Sequence, residues 1–280
     1  MKLISFDALR TLNFPAHTYI KPELYLAHLE AIQDADWLLF PEYWQLPALH
    51  FALGARIFPS YASYALGHSK IEMTRAFSAC APEHLPFTLI KANTDENAEL
   101  IWQQMPLPFV AKIPKSARGQ GVFLIETRAD WQAYLAMTPC LYAQEYLPLD
   151  RDLRLIVIGH KVVGGYWRIQ PEGGFHTNIA QGGQVMAGTL PTAAVDLVER
   201  VSAQLDIDHA GFDVAMLGQY PYLLEFNRIF GTQGVQDLYG DFNQHILTYL
   251  FKQTEHDPSS PNSPNRPRDG RKRPWYPNAA

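Results

Sequence analysis

The segment Gly211–Asn227, GFDVAMLGQYPYLLEFN, reads as two apolar strands joined at Gly218-Gln219. Folding it about a centre near residue 219 places Asp213 opposite Glu225 on paired strands. Strand side chains repeat every two residues, so Asn227 shares the face of Glu225. Three oxygen-bearing side chains then converge in an otherwise apolar hairpin. Magnesium takes oxygen ligands and is commonly held by one or two carboxylates plus substrate phosphates. Asp213, Glu225 and Asn227 are therefore candidate metal ligands; acids on a solvated sheet face are the competing reading, which spacing alone leaves open.

The chain on either side is consistent with a hairpin-rich body. Upstream lie LYAQEYL (141–147), RLIVIG (154–159) and KVVGGYWRI (161–169), the last two flanking Gly159-His160 as an antiparallel hairpin. Val195, Val198, Val201 and Leu205 stand at helical spacing, and a closing helix is expected over about 241–251. Ser69-Lys70-Ile71-Glu72 has the form of a capping box opening a helix to about Cys80. A strand at 87–91, a helix at 97–104, the strands PFVAKI (108–113) and VFLIE (122–126), and a helix at 131–137 behind Thr127 and Asp130 complete this part. The reading is an α+β body on antiparallel sheet. Residues 1–68 alternate strand (3–6, 37–40, 55–58) with a helical pattern (22–34), which predicts a small α/β layer.

At 280 residues the chain holds one large domain or two ordinary ones. The expected division is 1–68 as an N-terminal α/β domain, 69–253 as the main body with subdomains 69–143 and 144–253, and 254–280 as a tail whose Pro, Ser, Asn and Arg composition is that of disorder. With 47% hydrophobic and 18% charged residues, global disorder is excluded. The formal charge of −5 gives no reason to expect a specific nucleic-acid partner. From Asp257 onward five bases face two acids, so only the tail suits an acidic partner. Cys80 and Cys140 lack zinc or disulfide spacing. Neither a signal-peptide core nor a membrane span is evident, and the expectation is a cytoplasmic protein without a membrane partner. A homo-oligomer is left open.

Two further constellations could carry chemistry. Lys112 ends a strand and precedes the loop KSARGQG (115–121), whose Gly119 and Gly121 and backbone N–H groups could cradle phosphate, although neither a Walker motif nor GxGxxG is present and a plain turn competes with this reading. The other comprises Gln144, Glu145, Tyr146, Asp152, Arg154, Arg168 and the run His176-Thr177-Asn178. Arg168 ends an apolar strand, where a buried guanidinium needs a partner. That partner is a salt-bridging acid or a bound carboxylate or phosphate.

Taken in order, these pieces resemble the ATP-grasp carboxylate–amine ligases, most closely the RimK-like ribosomal-protein glutamate ligase group with its glutathione-synthetase relatives. The similarity runs from about Arg56 to Leu238. SKIEMTRAFS is similar to the family's helix-opening lysine motif, VAKIPKSARGQGV to its phosphate loop, AQEYL to its adenine hinge, and GFDVAM with LLEFNRIFGTQG to its metal-binding hairpin. The resemblance implies two α+β subdomains gripping ATP. It assigns Lys70, Lys112, Gly119 and Gly121 to the nucleotide's phosphates and purine side, Glu145 and Tyr146 to adenine, and Asp152 to the ribose. His176, Thr177 and Asn178 would meet phosphates, and Asp213, Glu225 and Asn227 two Mg2+ ions, with Mn2+ as a substitute. Arg168 would stabilise an acyl phosphate and Arg154 would contact substrate. The implied reaction joins a carboxylate to an amine, such as an amino acid added to a peptide or protein end. Three departures stand out: SARGQG for a loop with a Gly-Ser or Gly-Thr pair, His176 for arginine, and Arg228-Ile229-Phe230-Gly231 for a small-residue and proline turn. A small-molecule kinase and a non-catalytic ATP-binding protein are the alternatives.

Overall fold

Three sheets organise the chain in a computed structural model that describes residues 1–115, 121–170, 184–230 and 241–256. By their contacts the described residues form two units, Met1–Ile57 with residues 247–256, and Phe58–Ile246.

In the first unit β1 (Leu3–Ser5) lies between β2 (His17–Tyr19) and β3 (Trp37–Leu39), parallel to both, and β4 (Ile57–Phe58) completes the order β2-β1-β3-β4. Parallel strands need crossovers, and the chain between β2 and β3 supplies one: a 3-10 segment, Pro22–His28, followed by α1 (Leu29–Asp34). The expected helical stretch thus forms in two pieces. Pro22 starts it without a side-chain cap, and nothing in its first part is buried. The strands β1 and β3 are buried throughout, as parallel strands covered on both faces should be.

The second unit opens with α2 (Tyr61–Leu66) and α3 (Lys70–Cys80). Its smaller sheet has the order β5-β8-β6-β7 and is antiparallel throughout, from β5 (Thr88–Ala92), β6 (Phe109–Lys112), β7 (Val122–Ile125) and β8 (Cys140–Glu145). Helices α4 (Asp95–Gln104) and α5 (Arg128–Leu135) pack on it through Ile101, Trp131 and Tyr134. At α5 the capping box is reciprocal: Thr127 accepts from the Asp130 N–H, and the Asp130 carboxylate accepts from the Thr127 N–H. At α3 the box is varied. Ser69 accepts from the Ile71 N–H, and a hydrogen bond from the Ser69 side chain holds the Glu72 carboxyl below its usual range.

The larger sheet has the order β11-β10-β9-β12-β13, from β9 (Arg151–Ile158), β10 (Lys161–Ile169), β11 (Gln184–Met186), β12 (His209–Leu217) and β13 (Tyr220–Asn227). Leu153, Leu155 and Val157 of β9 alternate onto one face. There they meet Phe212, Val214, Leu223 and Phe226, the α3 residues Met73 and Phe77, and Leu197, Val198 and Val201 of α6 (Thr192–Gln204). Burying each such side chain is worth about 1.5–3 kcal/mol. The opposite face carries Asp152, Arg154, Arg168 and Asp213, with buried Ile156 and Tyr166 beside them. The final helix, α7, runs Phe242–His256, past the expected helix end near 251 and the expected end of the body at 253; Thr254 is buried and its hydroxyl accepts a hydrogen bond from Trp37 Nε1 at 2.9 Å. No helix among the described residues is long and apolar enough to cross a membrane.

Candidate functional site

The β12–β13 hairpin brings Asp213 opposite Glu225, by a route that simple alternation does not give. Its loop is the two residues Gly218-Gln219, with Gly218 at φ +62°, and Leu217 faces Tyr220. In that register Val214 faces Leu223. An unbulged ladder would then set Asp213 against Leu224 and turn Glu225 to the core face with Leu223. A β-bulge next to Asp213 absorbs one residue of β13, so Leu223 and Phe226 both reach the core while Glu225 takes the polar face. Asn227, opposite Gly211, follows on that face.

On the same face, β9 and β10 present Asp152 and Arg154, and Arg168. These three and Asp213 are 4%, 7%, 4% and 4% exposed. The register sets Arg168 opposite Asp152 and Arg154 opposite Asp213. Arg168 donates Nε to Asp152 Oδ1 at 2.7 Å and Nη2 to Oδ2 at 2.5 Å, a two-pronged pair, and its Nη2 also lies 3.0 Å from Asp213 Oδ2. Arg154 makes a second such pair, Nε to Asp213 Oδ1 and Nη2 to Oδ2. Four buried charges therefore neutralise one another in the order Asp152, Arg168, Asp213, Arg154. Burial raises the Asp213 carboxyl against the pull of both guanidiniums.

Glu225 differs. Its side chain is 24% exposed and lies 3.6 Å from Lys70 Nζ, and among the described residues it accepts no hydrogen bond. Burial works to raise its carboxyl, but Lys70, Lys112, Arg154 and Arg168 together hold it below the usual range. Lys70 opens α3, and its N–H donates to the carbonyl of Pro114, tying the helix start to the loop after β6. Lys112, the last residue of β6, is 7% exposed. Its ammonium stands 5.6 Å from the ring centre of Tyr142, and burial lowers its affinity for the proton while Glu225 and Asp213 restore part of it. Gly121 closes the loop after Lys112 by accepting the Ile113 N–H at 2.7 Å.

Of the other expected residues, Glu145 accepts the Phe87 N–H through Oε1 at 2.8 Å, and half-buried Tyr146 follows it. Asp152, expected at a ribose, has both oxygens on Arg168. Gly119, His176, Thr177 and Asn178 lie outside the described residues. A group not anticipated is Tyr142, whose hydroxyl bonds Thr74 Oγ1 at 2.8 Å and lies 3.4 Å from Gln144 Nε2, beneath Lys112. Burial pushes its phenol up to about 12. The signal was present in LYAQEYL: Tyr142, Gln144 and Tyr146 share one strand face. A cavity of about 610 Å3 lined by Arg151, Trp167, Thr192 and Met216 lies on the reverse face of the sheet and carries none of the expected residues.

The donor chemistry fits a magnesium ion accompanied by phosphates. Glu225 and the Asn227 amide offer oxygens that make no hydrogen bond among the described residues, whereas Asp213 already holds two guanidiniums.

Comparison with known proteins shows what the chain is similar to. The family model of the RimK-like ATP-grasp domain matches residues 75–250, more than half of the chain. A ribosomal protein bS6–L-glutamate ligase of Salmonella paratyphi B is 28% identical over 162 residues, which cover 56% of this chain and 54% of the relative. The chain thus spans about half the length of the curated relatives it matches. Among solved structures, a RimK-domain ATP-grasp protein from Sphaerobacter thermophilus superposes with a TM-score of 0.66 at 17% identity, over 90% of this chain and 100% of that one. A D-alanine–D-alanine ligase from Bacillus anthracis gives 0.63 at 12% identity, over 90% and 97%. At these identities the likeness is one of fold, and the fold is ATP-grasp.

Proposed function

The chain belongs to the RimK-like ATP-grasp family, and from that premise we propose that it is an ATP- and Mg2+-dependent carboxylate–amine ligase that forms an amide through an acyl phosphate. The observation that carries this reading is the Asp213–Glu225 pair on adjacent strands with Lys70 and Lys112 beside it, carboxylates for metal and ammonium groups for phosphate in one place.

In this reading Glu225, Asn227 and Asp213 hold two Mg2+ ions, which when bound would neutralise charge on the transferring phosphate. Lys70 and Lys112 bind phosphate oxygens, and Tyr142 with Thr74 fixes the floor under Lys112. Glu145 and Tyr146 line the adenine, Gly119, Gly121, His176, Thr177 and Asn178 the phosphates, and Asp152 the ribose side. Arg168 is oriented by Asp152, so that its charge faces the acyl phosphate without the side chain having to reorganise. Arg154 adds cationic character where the substrate carboxylate would enter. Phosphoryl transfer asks chiefly for positioning and charge neutralisation, which these groups supply without a protein nucleophile.

The substrates proposed are an amino acid, glutamate first, as the amine and a peptide or protein end as the carboxylate. The name of the bS6–glutamate ligase relative supports that choice. A cytoplasmic location suits an enzyme consuming ATP. The test is ADP release from MgATP with pooled amino acids and peptides. A product lighter than its summed substrates by one water supports the ligase, and a phosphorylated product without an amide would instead indicate a kinase.

A further inference from the structure

Arg154 occupies an unusual seat. Its side chain lies in the notch left by Gly211, where an added Cβ would come within 2.9 Å of Arg154 Nη1, 3.0 Å of Cδ and 3.2 Å of the Phe230 ring. From that notch Arg154 directs Nε and Nη2 at both oxygens of Asp213. A carboxylate offers about four lone-pair positions. Arg154 takes one on each oxygen, and Arg168 takes a further one on Oδ2 at 3.0 Å. A cation that takes Asp213 must therefore displace one of these forks or use the last position. Charge points the same way. Among the described residues the face brings together Lys70, Lys112, Arg154 and Arg168 with Asp152, Asp213 and Glu225, four cations against three carboxylates. A net positive cluster repels a lone divalent ion, and it attracts one that arrives with polyphosphate.

We propose that Arg154 is a positioning residue that guards Asp213, so that the site takes a divalent cation only together with the nucleotide's phosphates, and that Gly211 exists at its position to seat Arg154. This rests on the metal-dependent reading above. Bound metal and phosphates would compete with the Arg154 fork for Asp213, which would leave the Arg154 guanidinium able to meet an anionic substrate on the same face.

The test is Mn2+ binding, read without nucleotide by the loss of the free-ion electron paramagnetic resonance signal and with ATP by equilibrium dialysis of the Mn2+–ATP complex against the protein, neither of which requires turnover. Wild-type protein alone is expected to leave Mn2+ free and to bind it when ATP is added. Arg154→Met is expected to bind Mn2+ without nucleotide about tenfold or more tightly than wild type, since a nearby unit charge has been removed. Adding Asp213→Asn to that variant should abolish the gain. Gly211→Ala, which crowds Arg154 but keeps its charge, should give a smaller gain and serves if Arg154→Met does not fold. Arg154→Met and Gly211→Ala binding Mn2+ no better than wild type would overturn the proposal, as would tight Mn2+ binding by wild type without nucleotide. Failure of the wild-type protein to bind Mn2+ even with ATP would count against the metal-dependent reading itself.

Discussion

Asp213 and Glu225 face each other across one pair of strands, yet substitution should affect them differently. Glu225 is partly exposed and its ion pair with Lys70 is long at 3.6 Å, so Glu225→Gln is expected to melt closer to wild type than Asp213→Asn while losing Mg2+-dependent ATP binding by calorimetry. Asp213→Asn strips a charge from two buried guanidiniums, which typically costs about 3–5 kcal/mol, and a urea titration should show it. Equal stability of the two variants would contradict the network. Asp208 sets a pH dependence. Burial pushes its carboxyl up to about 7, Asp206 adds to the rise, and the Ser60 N–H, His160 and Ser63 oppose it. An unfolded aspartate titrates near 3.9, so between about pH 4 and 7 the folded chain keeps a proton that the unfolded chain gives up. Stability from this group is complete below that window and falls as pH rises through it. Asp208→Asn should therefore flatten the melting temperature between about pH 5 and 7 relative to wild type. An unchanged slope would assign the titration elsewhere. The pairing of Asp213 with Glu225 was legible because it is local. That of Asp213 with Arg154 was not, because the two are 59 residues apart and nothing in one sequence fixes the register of β9 on β12.

The hairpin itself was legible for a reason only partly right. A turn centred at residue 219 was expected; the loop is centred half a residue earlier, and the bulge beside Asp213 restores the pairing. Bulges leave little trace in an apolar run such as YLLEF, where neighbouring residues all suit a strand. Helix starts were legible because caps are chemical. Thr127 and Asp130 satisfy each other's backbone as the spacing requires, although α5 begins at Arg128, earlier than the apolar pattern suggests. Thr127→Ala should cost about 1 kcal/mol in urea denaturation. A loss near zero would mean that packing of Trp131 and Tyr134 alone holds that helix.

The antiparallel body and the α/β character of the N-terminal layer followed from the spacing of strands and helices, whereas the parallel pairing of β1 with β2 and β3 and the C-terminal end of the first unit did not. Trp37 gives its indole N–H to Thr254, and that contact joins the two ends of the chain within one unit. A chain ending at Gln253 leaves the buried indole without this acceptor, a loss of about 1–3 kcal/mol. It should melt below a chain ending at His256, and equal melting temperatures would show that the contact contributes nothing. The function of the whole rests on one chemical event, the passage of a carboxylate through an acyl phosphate. The most direct measurement supplies MgATP, glutamate and a peptide whose terminal carboxylate carries 18O, and follows amide, ADP and phosphate by mass spectrometry. The account predicts one ADP per amide, with one 18O atom transferred to the released phosphate. ADP released with unlabelled phosphate, or a phosphorylated product in place of the amide, would contradict it.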